Sequence, residues 1–245
     1  MPKLFKSRTK HKPRLPEGLR FYVVADIHGA ENALVDVLTR IDADQAAHPS
    51  KRSVQIFLGD YVDRGPATRQ VLERLIARAR SHEILMLKGN HEELFLSFFK
   101  DPAVLSSWRQ YGGLQTLTSY GLQPSFSPTE EEQLKLSAQF ERAVPAEHRL
   151  LLEGLPSSFS CGDYYFVHAG VRPGIPLKNQ KDEDLLWIRQ DFLLHEGMFE
   201  KFIVHGHTPV KEPEVHKNRI NLDTGAYATG RLTCLVLDDD KQEFI

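Results

Sequence analysis

The chain has 245 residues and carries 31 Lys and Arg against 33 Asp and Glu, so no global field draws it to nucleic acid or to an anionic membrane. Its length allows a sizeable core in one large domain or two small ones, and two cysteines, Cys161 and Cys234, exclude a disulfide framework and fit a reducing compartment. No apolar run is long enough to span a bilayer and the start lacks a hydrophobic signal core, so the cytoplasm is the expected location.

Residues 1–18 are basic, with Lys3, Lys6, Arg8, Lys10, Lys12 and Arg14, and read as a solvated, flexible tail rather than an anion-binding arm. Residues 19–245 read as a single domain. The run 21–25 is apolar and β-prone and ends in Asp26-Ile27-His28-Gly29. In an extended chain, residues i and i+2 face the same side, so Asp26 and His28 are expected to point together. Gly29 lets the backbone turn away, and Asn32 is placed to cap a helix over 33–41.

A buried strand over 54–58 leads into Gly59-Asp60-Tyr61-Val62-Asp63-Arg64-Gly65. The end of such a strand is where open α/β sheets place their sites. Asp60, first off the strand, can bind metal, and Arg64 can hold an anion in its fork. Taken alone, the stretch is equally a tight turn capped by acidic residues. A helix over 67–79 follows, with Val71, Leu72, Leu75 and Ile76 on one face and Pro66 at its first turn. A third strand over 83–87 ends in Gly89-Asn90-His91-Glu92, with a helix expected from Glu93. Metal-ligand residue types recur at each of these strand ends, which the turn explanation does not account for.

The segment 101–149 differs. It is mostly helical and carries no such cluster. Ser127-Pro128-Thr129-Glu130 reads as a capping box with proline at the first helical position, after a loop over 124–128. The segment is expected to be a helical insertion or a lid over one edge of the site. Trp108 and Tyr111 read as packing residues or as the lining of a substrate groove. Strands resume at 164–167, ending in His168-Ala169-Gly170, and at 202–204, ending in His205-Gly206-His207-Thr208-Pro209. Between them lie a loop over 172–176 and a stretch over 183–189 that includes Trp187 and Arg189. The tail reads as antiparallel strands near 219–222 and 232–237, separated by Asp223-Thr224-Gly225-Ala226.

Taken in order, Asp26-x-His28-Gly29, Gly59-Asp60-x-Val62-Asp63-Arg64-Gly65, Gly89-Asn90-His91-Glu92, His168-Ala169-Gly170 and Gly206-His207-Thr208-Pro209 resemble the signature of the phosphoprotein phosphatase (PPP) family of metallophosphoesterases. The resemblance implies an α/β fold in which two mixed β-sheets are sandwiched between helices, with a two-metal site at the strand ends. Carried over residue by residue, it implies Asp26, His28 and Asp60 as ligands of one divalent ion. It implies Asp60, Asn90, His168 and His207 as ligands of the other, so that Asp60 bridges. His91 is implied as the general acid, oriented by Asp63, with Arg64 and Arg189 as the phosphate clamp.

Some positions depart from the family pattern. Ala25 stands where the family usually has glycine, and Asp223-Thr224-Gly225-Ala226 replaces the Ser-Ala-Pro-Asn-Tyr-Cys loop of the eukaryotic enzymes and looks bacterial. Pro209 stands where many wider metallophosphoesterases carry a further histidine, which favours the PPP-type branch over nucleases and cyclic-nucleotide phosphodiesterases. His205 is extra and reads as structural. His11, His48, His82, His148, His195 and His216 lie outside any cluster and read as surface or partly packed. Neither cysteine sits in a Cys-x-x-Cys pair, so both read as inert thiols.

The expected activity is that of a metal-dependent phosphoric monoester hydrolase, a bacterial-type serine/threonine protein phosphatase. Its hydroxide would bridge two ions, most readily manganese, with iron or zinc suited to the same mixed ligand set. Two alternatives share the motifs: a symmetrical bis(5'-nucleosyl)-tetraphosphatase and an inactive phosphate-binding module. The expected partner is a phosphorylated protein or peptide, or a dinucleoside polyphosphate; no nucleic acid or membrane partner is expected.

Overall fold

The computed structural model describes residues 12–49 and 51–245. The expected tail as far as residue 11, His11 included, lies outside the described residues. Residues 12–18 do not behave as a solvated tail: Leu15 is buried, its N–H donates to Asp239 O, and Arg14 N–H donates to the Asp163 carboxylate.

The first sheet contains β1 (Leu19–Val24), β2 (Arg52–Phe57), β3 (Ile84–Met86), β9 (Cys234–Asp238) and β10 (Lys241–Phe244), in the order β10-β9-β1-β2-β3. Three of these strands run parallel, with Val24 opposite Phe57 and Phe57 opposite Met86. That register puts the loops after β1, β2 and β3 side by side at one edge. The second sheet contains β4 (Ser158–Cys161), β5 (Tyr164–Val167), β6 (Phe202–His205), β7 (Glu214–Val215) and β8 (Arg219–Asn221), in the order β4-β5-β6-β8-β7. Here β5, β6 and β8 are parallel, so the chain leaves them at His168, Gly206 and Leu222, again along one edge.

Strand alternation builds the layers. Phe21, Val23, Ile56 and Leu58 face Phe166, Val204 and Ile220 of the other sheet in one apolar cluster. Tyr22, Val24 and Phe57 point the opposite way, onto α1 (Glu31–Ala47) through Leu34, Val37 and Ile41 and onto α2 (Thr68–Ala79) through Val71, Leu72 and Leu75. On the outer face of the second sheet, Tyr165, Val167 and Ile203 pack on Leu185 of α8 (Asp182–Trp187) and Phe192 of α9 (Gln190–Leu193). The result is the sandwich of two mixed sheets flanked by helices that the motifs imply. Each large apolar side chain so buried contributes about 1.5–3 kcal/mol. Among the described residues, no helix is long and apolar enough to cross a membrane.

Several local expectations are corrected. Ala30, not Asn32, precedes α1, and no side chain caps that helix. Pro66 lies before the cap of α2, whose N-cap is Ala67. The helix expected from Glu93 is α3 (Asn90–Phe98), which starts earlier and so places His91 in its first turn. The cap before α6 (Glu130–Ala143) is Thr129, whose hydroxyl accepts from Glu132 N–H; Pro128 lies outside the helix. The two tail strands do not pair with each other: β8 joins the second sheet beside β6, and β9 joins the first beside β1. His148 is fully buried, with Nδ1 2.7 Å from Tyr120 Oη.

The insertion consists of α4 (Leu105–Trp108), α5 (Gly113–Ser119), α6 and α7 (Ala146–Glu153). Trp108, Leu117, Leu136, Phe140 and Leu152 join the cluster that backs the first sheet and α3, so most of the insertion buttresses the site from behind, while Tyr111 stands edge-on to His91 at its rim.

Candidate metal centre and phosphate site

Backbone hydrogen bonds join the loops after β1 and β2. Ile27 and His28 N–H both donate to Asp60 O, at 3.0 and 2.8 Å, and Gly65 N–H donates to His28 O at 2.9 Å. The side chains are then turned inward by left-handed backbone. Among the described residues, the non-glycine residues with positive φ are His28, Asp60, Asp63, Arg64, His207 and Asp239, and all but the last are candidate site residues. Such conformations cost of order 1–3 kcal/mol each and persist where the surroundings enforce them. This corrects the alternation argument for Asp26 and His28: β1 ends at Val24, and His28, at φ 48°, is not extended.

Two groups of possible ligand atoms share Asp60. His28, Asp60 and His91 form one, and Asp60, His168 and His207 the other; within each, the atoms lie within 4.8 Å of one another and the residues are buried. Asp60 Oδ2 lies 3.4 Å from His28 Nε2 and 3.3 Å from His168 Nε2. Asn90 Oδ1 is 3.0 Å from His168 Nε2. Asp26 is buried beside them, its carboxylate accepting His207 N–H at 3.0 and 3.1 Å. Gly206 makes that approach possible, because a Cβ there would collide with Asp26 Oδ1.

The donor set fits divalent cations. His28 Nδ1 lies 2.9 Å from Val62 O and His168 Nδ1 3.1 Å from Leu58 O; carbonyls only accept, so these nitrogens carry the protons and both Nε2 lone pairs face the site. His168 Nε2 faces the acceptors Asn90 Oδ1 and Asp60 Oδ2 and lies 3.0 Å from His207 Nδ1, whose role depends on its tautomer. A cation suits this convergence of oxygens and ring nitrogens. Burial alone would lower the His168 pKa, but Asp60 outweighs it and pushes it up to about 9. Burial lowers His28 to about 3 and, with His168 beside it, His207 to about 2, which leaves both rings neutral and free to ligate. His207 Nε2 is buried without a partner. Burial and neighbouring Asp223 hold Asp26 well above the usual carboxylate range, an arrangement that a divalent ion relieves.

Next to this set, His91 Nδ1 lies 2.7 Å from Asp63 Oδ2. The carboxylate accepts, so Nδ1 carries a proton and Nε2 is directed to the site, 3.8 Å from Asp60 Oδ2. Burial would lower the pKa of His91, but Asp60 and Asp63 together raise it. Arg64 donates through Nη1 to Tyr227 Oη at 3.1 Å, and its buried Nε lacks a partner. Arg189 donates to Thr208 Oγ1 at 3.2 Å, which places it next to His207. His205 stays out of the ligand groups: it is buried, with Nδ1 3.1 Å from Gly206 O and its ring against Phe192. Both thiols are free and pushed up by burial, which keeps them protonated.

Residues 19–234 match the calcineurin-like phosphoesterase family. The chain belongs to that family. This calcineurin-like phosphoesterase is 26% identical over 234 residues to the asymmetrical bis(5'-nucleosyl)-tetraphosphatase PrpE of Anoxybacillus flavithermus, with 87% of this chain and 88% of that one covered. Two solved structures share its fold. One, provisionally labelled a diadenosine tetraphosphatase, has a TM-score of 0.63 at 20% identity and covers 93% of each chain. The other, a protein serine/threonine phosphatase from Saccharomyces cerevisiae, has a TM-score of 0.53 at 15% identity and covers 96% of this chain and 84% of that one.

Sequence reasoning missed the supports of this phosphoesterase site. Glu92 is buried, and its carboxylate accepts the N–H groups of Asp60, Tyr61 and Gly89, each at 2.8 Å, which ties the second and third loops together. Trp108, read as packing or groove lining, donates Nε1–H to Asp63 Oδ2 at 2.7 Å. Thr116 Oγ1–H donates to Asp63 Oδ1, also at 2.7 Å, and so the buttress reaches the His91 partner from behind. A tryptophan and a threonine in a helical segment carry no local signal of that contact.

One consequence is measurable. Trp108→Phe keeps an aromatic ring of smaller volume and removes one donor to Asp63. Turnover on a poor leaving group is expected to fall about tenfold, the equivalent of one buried charge-assisted hydrogen bond. Thermal melting should fall modestly through the smaller core ring, and unchanged turnover would remove Trp108 from any part in holding Asp63.

Proposed function

We propose that this phosphoesterase is a metal-dependent hydrolase of dinucleoside tetraphosphates that cleaves their phosphoanhydride chain asymmetrically. The observation that carries the proposal is the pair of buried ligand groups sharing Asp60, beside a proton-bearing His91, in a chain whose relatives are named for that reaction.

Each step falls to particular side chains. Ions held by His28, Asp60, Asn90, His168 and His207, with Asp26 beside them, would supply an activated water and neutralise phosphate charge, and manganese is the first ion to test. Arg64 and Arg189 hold phosphoryl oxygens in their forks. His91 gives its Nε2 proton to the departing oxygen as the P–O bond breaks. The water's oxygen ends on phosphorus and its proton restores His91, so the products are two phosphate-terminated nucleotides.

The second reading is hydrolysis of phosphoserine or phosphothreonine. The His91–Asp63 pair favours it, because an alkoxide leaves with more need of a proton than a phosphate does. Manganese-loaded protein is to be given diadenosine tetraphosphate or a phosphoserine peptide, with nucleotides separated by anion exchange. A monophosphate and a triphosphate are expected in equal amounts. Two diphosphates would indicate symmetrical cleavage instead. Faster turnover of the peptide by about tenfold or more would overturn the proposal in favour of the second reading. No turnover of either would leave a phosphate-binding module.

A further inference from the structure

A line of rings crosses the site. Tyr227 stands edge-on to His28 with centroids 5.5 Å apart, and His28 edge-on to His91 at 4.5 Å. His91 then stands edge-on to Tyr111 at 5.9 Å, and Tyr111 to Trp187 at 6.1 Å. The two histidines belong to the ligand groups; the rings at the two ends do not.

These end rings are not core residues. Tyr227 and Tyr111 are each 39% exposed, and Trp187 is half-buried. Polar atoms at both ends are already engaged: Tyr227 Oη accepts from Arg64, and Trp187 Nε1–H donates to Glu93 Oε2 at 2.9 Å. The Arg64 guanidinium lies over one face of the Tyr227 ring, 5.0 Å from its centroid, so Tyr227 offers its other face, and Tyr111 and Trp187 offer flat apolar surface, beside a site built for phosphate. A planar base held close to a phosphate chain is the ligand such surface suits.

We infer that the two ends are base-stacking subsites, Tyr227 for one nucleobase and Tyr111 with Trp187 for the other. The inference rests on the dinucleoside polyphosphate reading of the site. His91 assigns the sides. The group that receives its proton departs past Tyr111 and Trp187, so that end takes the nucleoside of the leaving nucleotide, and Tyr227 takes the nucleoside that stays on the attacked phosphorus. Stacking uses the π face that every base has, so adenine and guanine dinucleotides are both accepted.

The test compares Tyr111→Ala, Trp187→Ala and Tyr227→Ala with Tyr111→Phe, Trp187→Phe and Tyr227→Phe. The phenylalanine variant at 227 separates loss of the ring from loss of the hydroxyl that partners Arg64. The readouts are KM for diadenosine tetraphosphate and the inhibition constant of orthophosphate, a competitor without a base. Each alanine variant is expected to raise KM about tenfold relative to its phenylalanine counterpart, with orthophosphate inhibition equal within each pair. Unchanged KM in the alanine variants, or a rise matched by equal weakening of orthophosphate, overturns the subsites. Wild type that ignores diadenosine tetraphosphate sinks the proposed function as well, and shows this before any variant is made.

Discussion

Asp60→Asn is expected to abolish metal-dependent turnover while leaving the fold intact. Asp60 is the residue common to both ligand groups, and its Oδ2 faces the Nε2 atoms of His28 and His168. The amide is nearly isosteric, so the backbone bonds from Asp60 N–H to Glu92 and from Ile27 and His28 to Asp60 O persist. Oδ1 can still accept His91 N–H, which lies at 3.2 Å. What is lost is the negative charge and one ligand oxygen, since an –NH₂ group cannot coordinate. Losing several kcal/mol of metal-assisted stabilisation corresponds to a rate decrease of about 10³-fold or more. Elemental analysis should show fewer than two manganese ions per chain. The metal-dependent rise in melting temperature should shrink with them, because an ion stabilises only the folded state that binds it. The metal-free variant should melt somewhat below metal-free wild type, because burial is outweighed by the neighbouring rings of His168, His91 and His28, which hold the Asp60 carboxyl well below the usual carboxylate range. Full occupancy by two ions in the variant would refute the bridging role.

His91→Ala separates two possible jobs for one residue. Its Nε2 lies in a ligand group with His28 and Asp60, yet its Nδ1 is committed to Asp63, the arrangement of a general acid. As the acid, its loss should lower turnover about 10²–10⁴-fold on substrates with poor leaving groups. The loss should be much smaller on p-nitrophenyl phosphate, whose leaving group departs without a proton. Metal content should stay at the wild-type level. Asp63 retains Trp108 and Thr116 as donors in the variant, so it is not left without partners. A drop in metal content that parallels the drop in rate would make His91 a ligand instead, and equal losses on both substrates would argue against proton donation.

Much of the site was legible because its pieces are local. Asp26 and His28, Asp60 to Arg64, and Asn90 to Glu92 each fall within a few residues of a strand end, where residue type alone suggests ligands. His168 and His207 follow the same logic in the second sheet. Strand alternation, by contrast, misplaced the reason why His28 points inward. β1 stops at Val24, and the orientation comes from left-handed backbone held by hydrogen bonds to the Asp60 loop. Whether 101–149 would be an inserted buttress or a lid stayed open for a related reason. A helical pattern shows that one face is apolar but not which side of a sheet it will cover.

The sequence by itself determined which residues are candidates for this phosphoesterase's site and the order in which they come off the strands, because a ligand's chemistry belongs to its own side chain. The tertiary structure decided what those parts rest on. Trp108 meets Asp63 across 45 residues, and Arg14 meets Asp163 across 149. Tyr227 comes to stand beside His28, and the two tail strands enter different sheets. Such pairings are selected by the packing of whole layers, a property of the assembled chain that no short stretch of residues encodes.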